Sequence, residues 1–219
     1  MLRELNFENI DVPSRHFITG IGTDVGKTYV TGYMAKKMDE AGINVITQKF
    51  VQTGNVGSSE DIEKHRQLMG IPLVADDKMG VTAPVIFSYP CSPDLAARID
   101  NRPLDLSIID ESSEVLESRY GHVLIEGAGG VMVPLDGEYL TIDYIADRNL
   151  AVVVTYNGQL GSINHTLLTV KALLSRGVKI FALVYNSYFD KDKTICSDTF
   201  AYMDRWIERN TPDTLHFKI

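Results

Sequence analysis

The chain has 219 residues, a formal net charge of −8 and 44% hydrophobic residues. This length suits one compact α/β domain whose core can fold without disulfides or a structural metal. The acidic balance disfavours sequence-independent binding to nucleic acid, and no apolar stretch approaches the ~18 residues of a membrane span. We therefore expect a protein that acts on small ligands or protein partners, with neither nucleic acid nor membrane as a partner.

The start of the chain, MLRELNFENIDVPSR, mixes acidic and basic side chains and lacks the apolar segment of a signal peptide. We interpret residues 1–14 as an N-terminal extension of a single domain that spans 1–219. The two cysteines, Cys91 and Cys196, have no partner motif, which is typical of reduced thiols. These features predict a cytoplasmic protein.

Apolar strand patterns alternate with helix patterns along the chain. The predicted elements are, in order, the strand RHFITG, a helix from about Lys27 to Ala41, the strand GINVITQKF, the acidic helix SEDIEKHRQLMG within a turn-rich stretch over 54–105, the helix LSIIDESSEVLESRY, the strands HVLIE and LAVVVTYNG, the helix SINHTLLTVKALLSRG, the strand VKIFALVYNS and a closing helix TFAYMDRWIERN. This alternation predicts an α/β fold with a mainly parallel sheet and helices on both faces.

Four predicted strand ends carry unusual residues: TGIGTDVGKT, TQKFVQTG, EGAGG and NGQLGSIN. In parallel sheets, ligands bind outside the carboxyl ends of the strands. We expect these segments to converge on one edge of the sheet and to form the functional site.

The first of these segments resembles a phosphate-binding loop of altered length. Gly20 and Gly26 are separated by five residues, whereas the usual loop has four before its Gly-Lys-Thr. A dinucleotide fingerprint or a ligand-free glycine turn are the alternatives. A dinucleotide fold has no need of Lys27 and Thr28 and prefers an acidic residue at the end of its second strand, where this chain has a lysine. The pattern favours a nucleoside triphosphate.

A triphosphate implies Mg²⁺, which prefers oxygen ligands. Glu126 ends the strand HVLIE and is the first carboxylate candidate; Asp61 is the second, although it could simply complement the dipole of its helix. Lys49 is open to two interpretations. It is either a surface lysine with a buried stem or a cation that serves a reaction gathering negative charge.

Taken together, these motifs resemble the dethiobiotin synthetase family, which closes a ureido ring at the expense of ATP. The matching segments are GIGTDVGKT, QKFVQTG followed by SSED, CSP, EGAGGVMVPL, and GQLGSINHTLLT followed by YNSY. The family's loop also has five residues between its glycines. The resemblance covers roughly residues 16–190 and implies a fold of the phosphate-loop NTPase type.

The resemblance also implies substrates and residue roles. The substrates would be 7,8-diaminononanoate, CO₂ or bicarbonate, and ATP, in a homodimer whose substrate site lies at the interface. Lys49, Lys27 and Thr23 correspond to catalytic residues, and Thr53 and Asn164 to substrate contacts. The ligands of Mg²⁺ would be Thr28, Asp61 and Glu126. The implied nucleotide-binding residues are Asp24, Val25, Gly26, Lys27, Thr28, Tyr29, Asp61, Glu126, Gly127, Ala128, Gly129 and Asn186.

Two other classes of function stay open at this point. One is a binding module that has lost its chemistry, for which the atypical Ile21-Gly22 in the loop is a hint; the intact Lys27, Thr28, Lys49, Asp61 and Glu126 argue against it.

The other, a phosphate-loop switch or partitioning ATPase, would share the Gly-Lys-Thr loop and the parallel sheet but act through protein partners. Such a protein has no use for a substrate-side lysine such as Lys49 together with Thr53.

Overall fold

A computed structural model describes Phe7 and residues 10–219. Most of the expected N-terminal extension, residues 1–6, 8 and 9, lies outside the described residues. Phe7 itself is buried, with its ring centroid 6.3 Å from that of Phe217.

Ten strands and eight helices are seen in the described part of the chain. The strands are β1 (Arg15–Gly20), β2 (Val45–Lys49), β3 (Gln52–Thr53), β4 (Ile86–Phe87), β5 (His122–Glu126), β6 (Pro134–Asp136), β7 (Tyr139–Leu140), β8 (Ala151–Asn157), β9 (Ile180–Asn186) and β10 (Leu215–Lys218). The helices are α1 (Lys27–Glu40), α2 (Glu60–Met69), α3 (Ala75–Lys78), α4 (Pro93–Ile99), α5 (Leu106–Tyr120), α6 (Thr141–Asp147), α7 (Ser162–Ser175) and α8 (Lys193–Asn210).

Six of the strands form one parallel sheet in the order β10-β9-β8-β1-β5-β2. The short strands β3 and β4 form a separate parallel pair, and β6 and β7 form an antiparallel hairpin. Every strand of the main sheet therefore ends on the same edge.

Successive side chains of β1 enter two different hydrophobic clusters. Phe17 packs in the cluster that buries apolar residues of α5, α6, α7 and α8, whereas Ile18 packs in the cluster that buries those of α1. Helices thus cover both faces of the sheet, and the predicted α/β fold is confirmed.

The C-terminal region differs from the prediction. Helix α8 begins at Lys193, six residues before the predicted helix, because the Asp192 side chain accepts hydrogen bonds from the N–H groups of Thr194 and Ile195. The helix is not the closing element, since β10 follows it and pairs with β9. A four-residue edge strand carries too little pattern to stand out in the sequence. The turn-rich stretch over 54–105 likewise contains α3, α4 and β4, which were not predicted, and β4 pairs with the equally unpredicted β3 just before this stretch.

In the described part of the chain, no helix is both long enough and apolar enough to cross a bilayer.

His16 is a buried polar residue in the second position of β1. Its side chain is 1% exposed, and its ring lies edge-on to Phe181 with centroids 4.4 Å apart. Neither ring nitrogen has a hydrogen-bond partner within the described structure. Burial, and secondarily the charges of His122 and Lys179, lower the pKa of His16 from 6.5 to about 3. The folded protein thus keeps this imidazole neutral.

We expect this histidine to make folding sensitive to acid. Between pH 6.5 and about pH 3 the unfolded chain binds a proton at His16 that the folded protein does not. The contribution of His16 to the free energy of unfolding is therefore complete above pH 6.5. Below this pH it falls by up to about 1.4 kcal/mol for each pH unit. Urea denaturation at several pH values measures this effect. The free energy of unfolding should fall less steeply with decreasing pH for His16→Leu than for the unmodified protein. For the exposed-site control His165→Gln it should not, and equal slopes for all three proteins would contradict the prediction.

Candidate active site

A cavity of about 790 Å³ opens at the carboxyl edge of the sheet. Its walls come from the loop after β1, the ends of β2 and β5, the start of α2 and the segment before α4. This is where doubly wound sheets place ligands, and the volume falls within the range of small-molecule sites.

The loop between β1 and α1 is held in a conformation that only particular residues tolerate. Gly26, which precedes α1, has φ +90°, and a Cβ there would overlap the Nδ2 atom of Asn186. Asp24 also adopts a positive φ, of +57°. Lys27 turns back over the loop, where its Nζ donates to the carbonyl of Gly22 at 2.9 Å. The loop is thus folded around a lysine at the N-terminus of a helix, an arrangement suited to a phosphate group.

Lys49 and Glu126 face each other across the ends of β2 and β5, because the register of these strands pairs the two residues directly. The Nζ atom of Lys49 lies 2.9 Å from Oε1 of Glu126 and 2.5 Å from Oδ2 of Asp61. Lys49 is 7% exposed at its side chain and Glu126 only 1%. The sequence left open whether Lys49 is a surface lysine; the structure buries its ammonium between two carboxylates.

These contacts keep both strand-end residues charged despite their burial. Burial alone would raise the pKa of the Glu126 carboxyl, but the Lys49 charge and the hydrogen bond from His65 outweigh it and hold the pKa well below its usual range. Burial would likewise lower the pKa of Lys49, yet Glu126 and Asp61 together raise it above its ordinary value. The site is a compensated cluster of buried charges.

Helix α2 delivers Asp61 to this cluster. The helix starts at Glu60 because the Ser59 hydroxyl accepts the N–H of Ile62 at 3.2 Å. The hydroxyl of Thr28, in the first turn of α1, lies 2.9 Å from Oδ1 of Asp61 and 3.0 Å from Oε1 of Glu126. Three oxygen atoms from two helices and a strand therefore meet at one point.

His65, which the sequence analysis missed, lies directly behind Glu126. It is fully buried, and its Nε2 is 2.6 Å from Oε2 of Glu126. The sequence does contain a signal for it, since His65 follows Asp61 by four residues and so shares its helix face.

Twelve of the residues singled out in the sequence line the cavity, and four do not. Those that line it are Thr23, Asp24, Gly26, Lys27, Thr28, Lys49, Thr53, Asp61, Glu126, Gly127, Ala128 and Gly129. Val25 and Asn186 are buried behind the loop, with Nδ2 of Asn186 donating to the Val25 carbonyl at 3.2 Å. Tyr29 is exposed and stacks on Tyr33, and Asn164 is exposed in the first turn of α7.

Other lining residues were not predicted. Gln52, Cys91, Ser92 and Phe189 all border the cavity. Gln52 could have been found from its place between Lys49 and Thr53 in the same segment. Cys91 and Ser92 belong to the CSP segment, which no local rule links to a site.

The fold is similar to that of proteins of solved structure at low sequence identity. The pNOB8 ParA protein bound to nonspecific DNA matches with a TM-score of 0.54 and 12% identity, over 92% of this chain and 78% of that one. The signal recognition particle receptor FtsY from Elizabethkingia anophelis, in complex with GDP, matches with a TM-score of 0.52 and 14% identity, over 95% of this chain and 58% of that one. At such identities the likeness concerns the fold alone.

Sequence comparisons are more specific. A family model described as an AAA domain matches residues 14–210. The ATP-dependent dethiobiotin synthetase BioD 2 of Pasteurella multocida is 45% identical over 91% of this chain and 93% of its own. The ATP-dependent dethiobiotin synthetase BioD of Chlorobaculum tepidum is 47% identical over 83% of this chain and 76% of its own. With these matches spanning most of its length, the chain belongs to the AAA-domain family of ATP-dependent dethiobiotin synthetases.

Proposed function

We propose that this protein closes the ureido ring of dethiobiotin from 7,8-diaminononanoate, CO₂ and ATP, releasing ADP and phosphate, as a step of biotin biosynthesis. The observation that carries the proposal is the buried ammonium of Lys49, which stands between Asp61 and Glu126 beside the phosphate loop. The names of the relatives support the same activity. Both cysteines are free thiols, which fits a cytoplasmic enzyme.

The loop residues would hold the triphosphate. In this proposal Lys27 leaves the Gly22 carbonyl to pair with the β- and γ-phosphates, while Asp24 to Tyr29 and Glu126 to Gly129 surround the nucleotide. Asn186 would approach the adenine edge from its position behind Gly26. Its Oδ1 already accepts the N–H of Tyr188 at 3.1 Å, so its orientation is set before the base arrives.

The residues present also fit a magnesium ion. Oxygen ligands that are neighbours in an octahedron with bonds of about 2.0–2.1 Å lie about 2.9 Å apart. The Thr28 hydroxyl lies at 2.9 and 3.0 Å from oxygens of Asp61 and Glu126. No cluster of three or more His, Cys, Asp or Glu residues that could hold a metal occurs in the described chain. Mg²⁺ takes few protein ligands and fills its shell with phosphate and water. When bound, the ion would neutralise charge on the β- and γ-oxygens.

The proposed chemistry is a sequence of positioned transfers. One amine of the substrate attacks CO₂ and loses a proton to give a carbamate. A carbamate oxygen takes the γ-phosphoryl group of ATP, releasing ADP. The second amine then attacks the carbonyl carbon of this mixed anhydride, and phosphate leaves as the ring closes. Lys49 pairs with the carbamate and the transferring phosphoryl, Lys27 holds the phosphate oxygens, and Thr23 and Thr53 contact the substrate at the rim.

The alternative of a switch or partitioning ATPase is not favoured. The likeness to ParA is one of fold, whereas two dethiobiotin synthetases match at 45% and 44% identity over 91% and 90% of the chain.

We further propose a homodimer in which Asn164 of one subunit reaches the substrate of the other. Asn164 does not line the cavity of its own chain and is exposed at the start of α7. An exposed polar residue at that place is free to serve a second subunit. The proposal also treats the chain as one phosphate-loop domain, since both hydrophobic clusters share its central sheet.

Phosphate release from MgATP should require both diamine and bicarbonate. Each component is omitted in turn, and dethiobiotin is sought by mass spectrometry. Lys49→Met should lower turnover by at least ~10²-fold, as expected when a preorganised charge is lost from the transition state. Lys36→Met, a change on the exposed face of α1, should leave it unchanged. ATP hydrolysis that ignores the diamine would support the switch ATPase instead.

Removing Lys49 should also destabilise the empty protein. Glu126 and Asp61 would lose their buried counter-ion, which typically costs about 3 kcal/mol or more when one partner of a buried pair is removed. Thermal unfolding of Lys49→Met in EDTA should therefore show a clear loss that Lys36→Met, which disrupts only a surface pair, does not. Added Mg²⁺ should recover part of it, because the ion would fill the same place. Equal stability of the two variants in EDTA would contradict this account of the cluster.

The shared site can be tested by subunit complementation. Lys49→Met and Asn164→Ala should each be inactive alone. When the two are co-expressed, random pairing gives mixed dimers in which one of the two sites is intact, or about 25% of all sites. Recovery of activity in that range is expected. Failure to recover any activity in purified mixed dimers would place Asn164 in its own subunit's site, and full activity of Asn164→Ala alone would place it outside any site.

A further inference from the structure

A chain of buried polar groups runs behind Glu126 on the side away from the cavity. It starts at Asp77, which pairs with Arg66 through two contacts, Nε to Oδ2 at 2.9 Å and NH2 to Oδ1 at 2.8 Å. NH1 of Arg66 then donates to the hydroxyl of Thr47 at 2.7 Å. The hydroxyl lies 3.0 Å from Nδ1 of His65, whose Nε2 lies 2.6 Å from Glu126.

The direction of these hydrogen bonds follows from what each group can donate. Arg66 can only donate, so the Thr47 oxygen accepts from it. Oε2 of the ionised Glu126 can likewise only accept, so Nε2 of His65 carries the proton that lies between them. Nε2–H therefore donates to Oε2 of Glu126, and every group in the chain has a partner.

The two oxygens of the Glu126 carboxylate have different partners. Oε2 is held from behind by His65, while Oε1 faces Thr28 at 3.0 Å and Lys49 at 2.9 Å. A buried carboxylate oxygen without a donor is costly, so loss of His65 would leave Glu126 to turn or to shift toward another partner. The carboxylate would then no longer present Oε1 at the point where the three oxygens meet.

We propose that His65 is a positioning residue that fixes the Glu126 carboxylate for the metal-bound nucleotide, with Thr47 and Arg66 holding the imidazole in turn. The inference rests on the proposed function in one respect, that Glu126 serves the metal side of the nucleotide. His65 itself does not line the cavity and touches no reactant.

The test is calorimetric binding of ADP to the full chain, with MgCl₂ or with EDTA. His65→Leu removes the donor at similar volume and should weaken binding on the order of 10-fold in Mg²⁺, while leaving binding in EDTA unchanged. His65→Gln places an amide N–H near the Nε2 position and should recover most of the loss. The matched control is Ser113→Ala, which removes a buried hydroxyl that is hydrogen-bonded to Gln48, the neighbour of Thr47 on β2. This variant should bind ADP as the unmodified protein does.

Several outcomes would overturn the inference. His65→Leu could keep the full effect of Mg²⁺, could weaken binding equally in Mg²⁺ and EDTA, or could fail to be rescued by glutamine. If His65→Leu does not fold, Thr47→Val carries the test; it should reduce the effect of Mg²⁺ by about 3-fold, and an unchanged value overturns the inference. Absence of any Mg²⁺ effect in the unmodified protein would refute the Mg²⁺ assignment itself, and the inference with it.

Discussion

A lysine and a glutamate at the ends of two neighbouring strands set the geometry of the whole site. Neither Lys49 nor Glu126 could be buried alone at a cost that a marginally stable protein tolerates. Their pairing across β2 and β5 solves this, and the remaining parts converge on the pair. Helix α2 brings Asp61 to the ammonium, and α1 brings Thr28 to both carboxylates.

The same compensation bears on how the enzyme would receive its substrates. The ammonium of Lys49 lies between two carboxylates, so a cation is already part of the site. Under the proposed function, the same oxygens of Asp61 and Glu126 would hold a metal ion that neutralises phosphate charge, and Lys49 would lie beside the reacting carbamate. The positive φ at Asp24 and Gly26 belongs to a loop conformation suited to a phosphate group.

The parts that could be predicted from the sequence are those with local signals. The alternation of apolar strands and helices gave the fold, and the glycines before Lys27 gave the loop. Lys49 and Glu126 stood out because charged residues are unusual at the ends of buried strands. Asp61 had an ordinary alternative as an acid at a helix start, and the family resemblance singled it out. Their roles remain predictions, although the structure brings all three into contact.

What could not be predicted depends on long-range pairing. The edge strand β10 is too short to show a period, and the contact of His65 with Glu126 links residues 61 positions apart. Cys91 and Ser92 reach the cavity only because the segment before α4 folds back over it. Asn164 differs from these residues. The family resemblance implies a substrate contact for it, but it does not line the cavity of its own chain.

The strand order affects how the protein can fold during its synthesis on the ribosome. Strands β1 and β2 are successive in the chain, yet β5 lies between them in the sheet, and in the described structure β2 pairs with no other strand. Until residues 122–126 have emerged, neither can join its neighbour in the ladder, and the ammonium of Lys49 lacks the carboxylate that lies 77 residues downstream. Non-local parallel pairing of this kind is slow to form. During synthesis, β2 therefore stays without a strand partner until β5 emerges. The same strand supplies the carboxylate that balances the charge of Lys49.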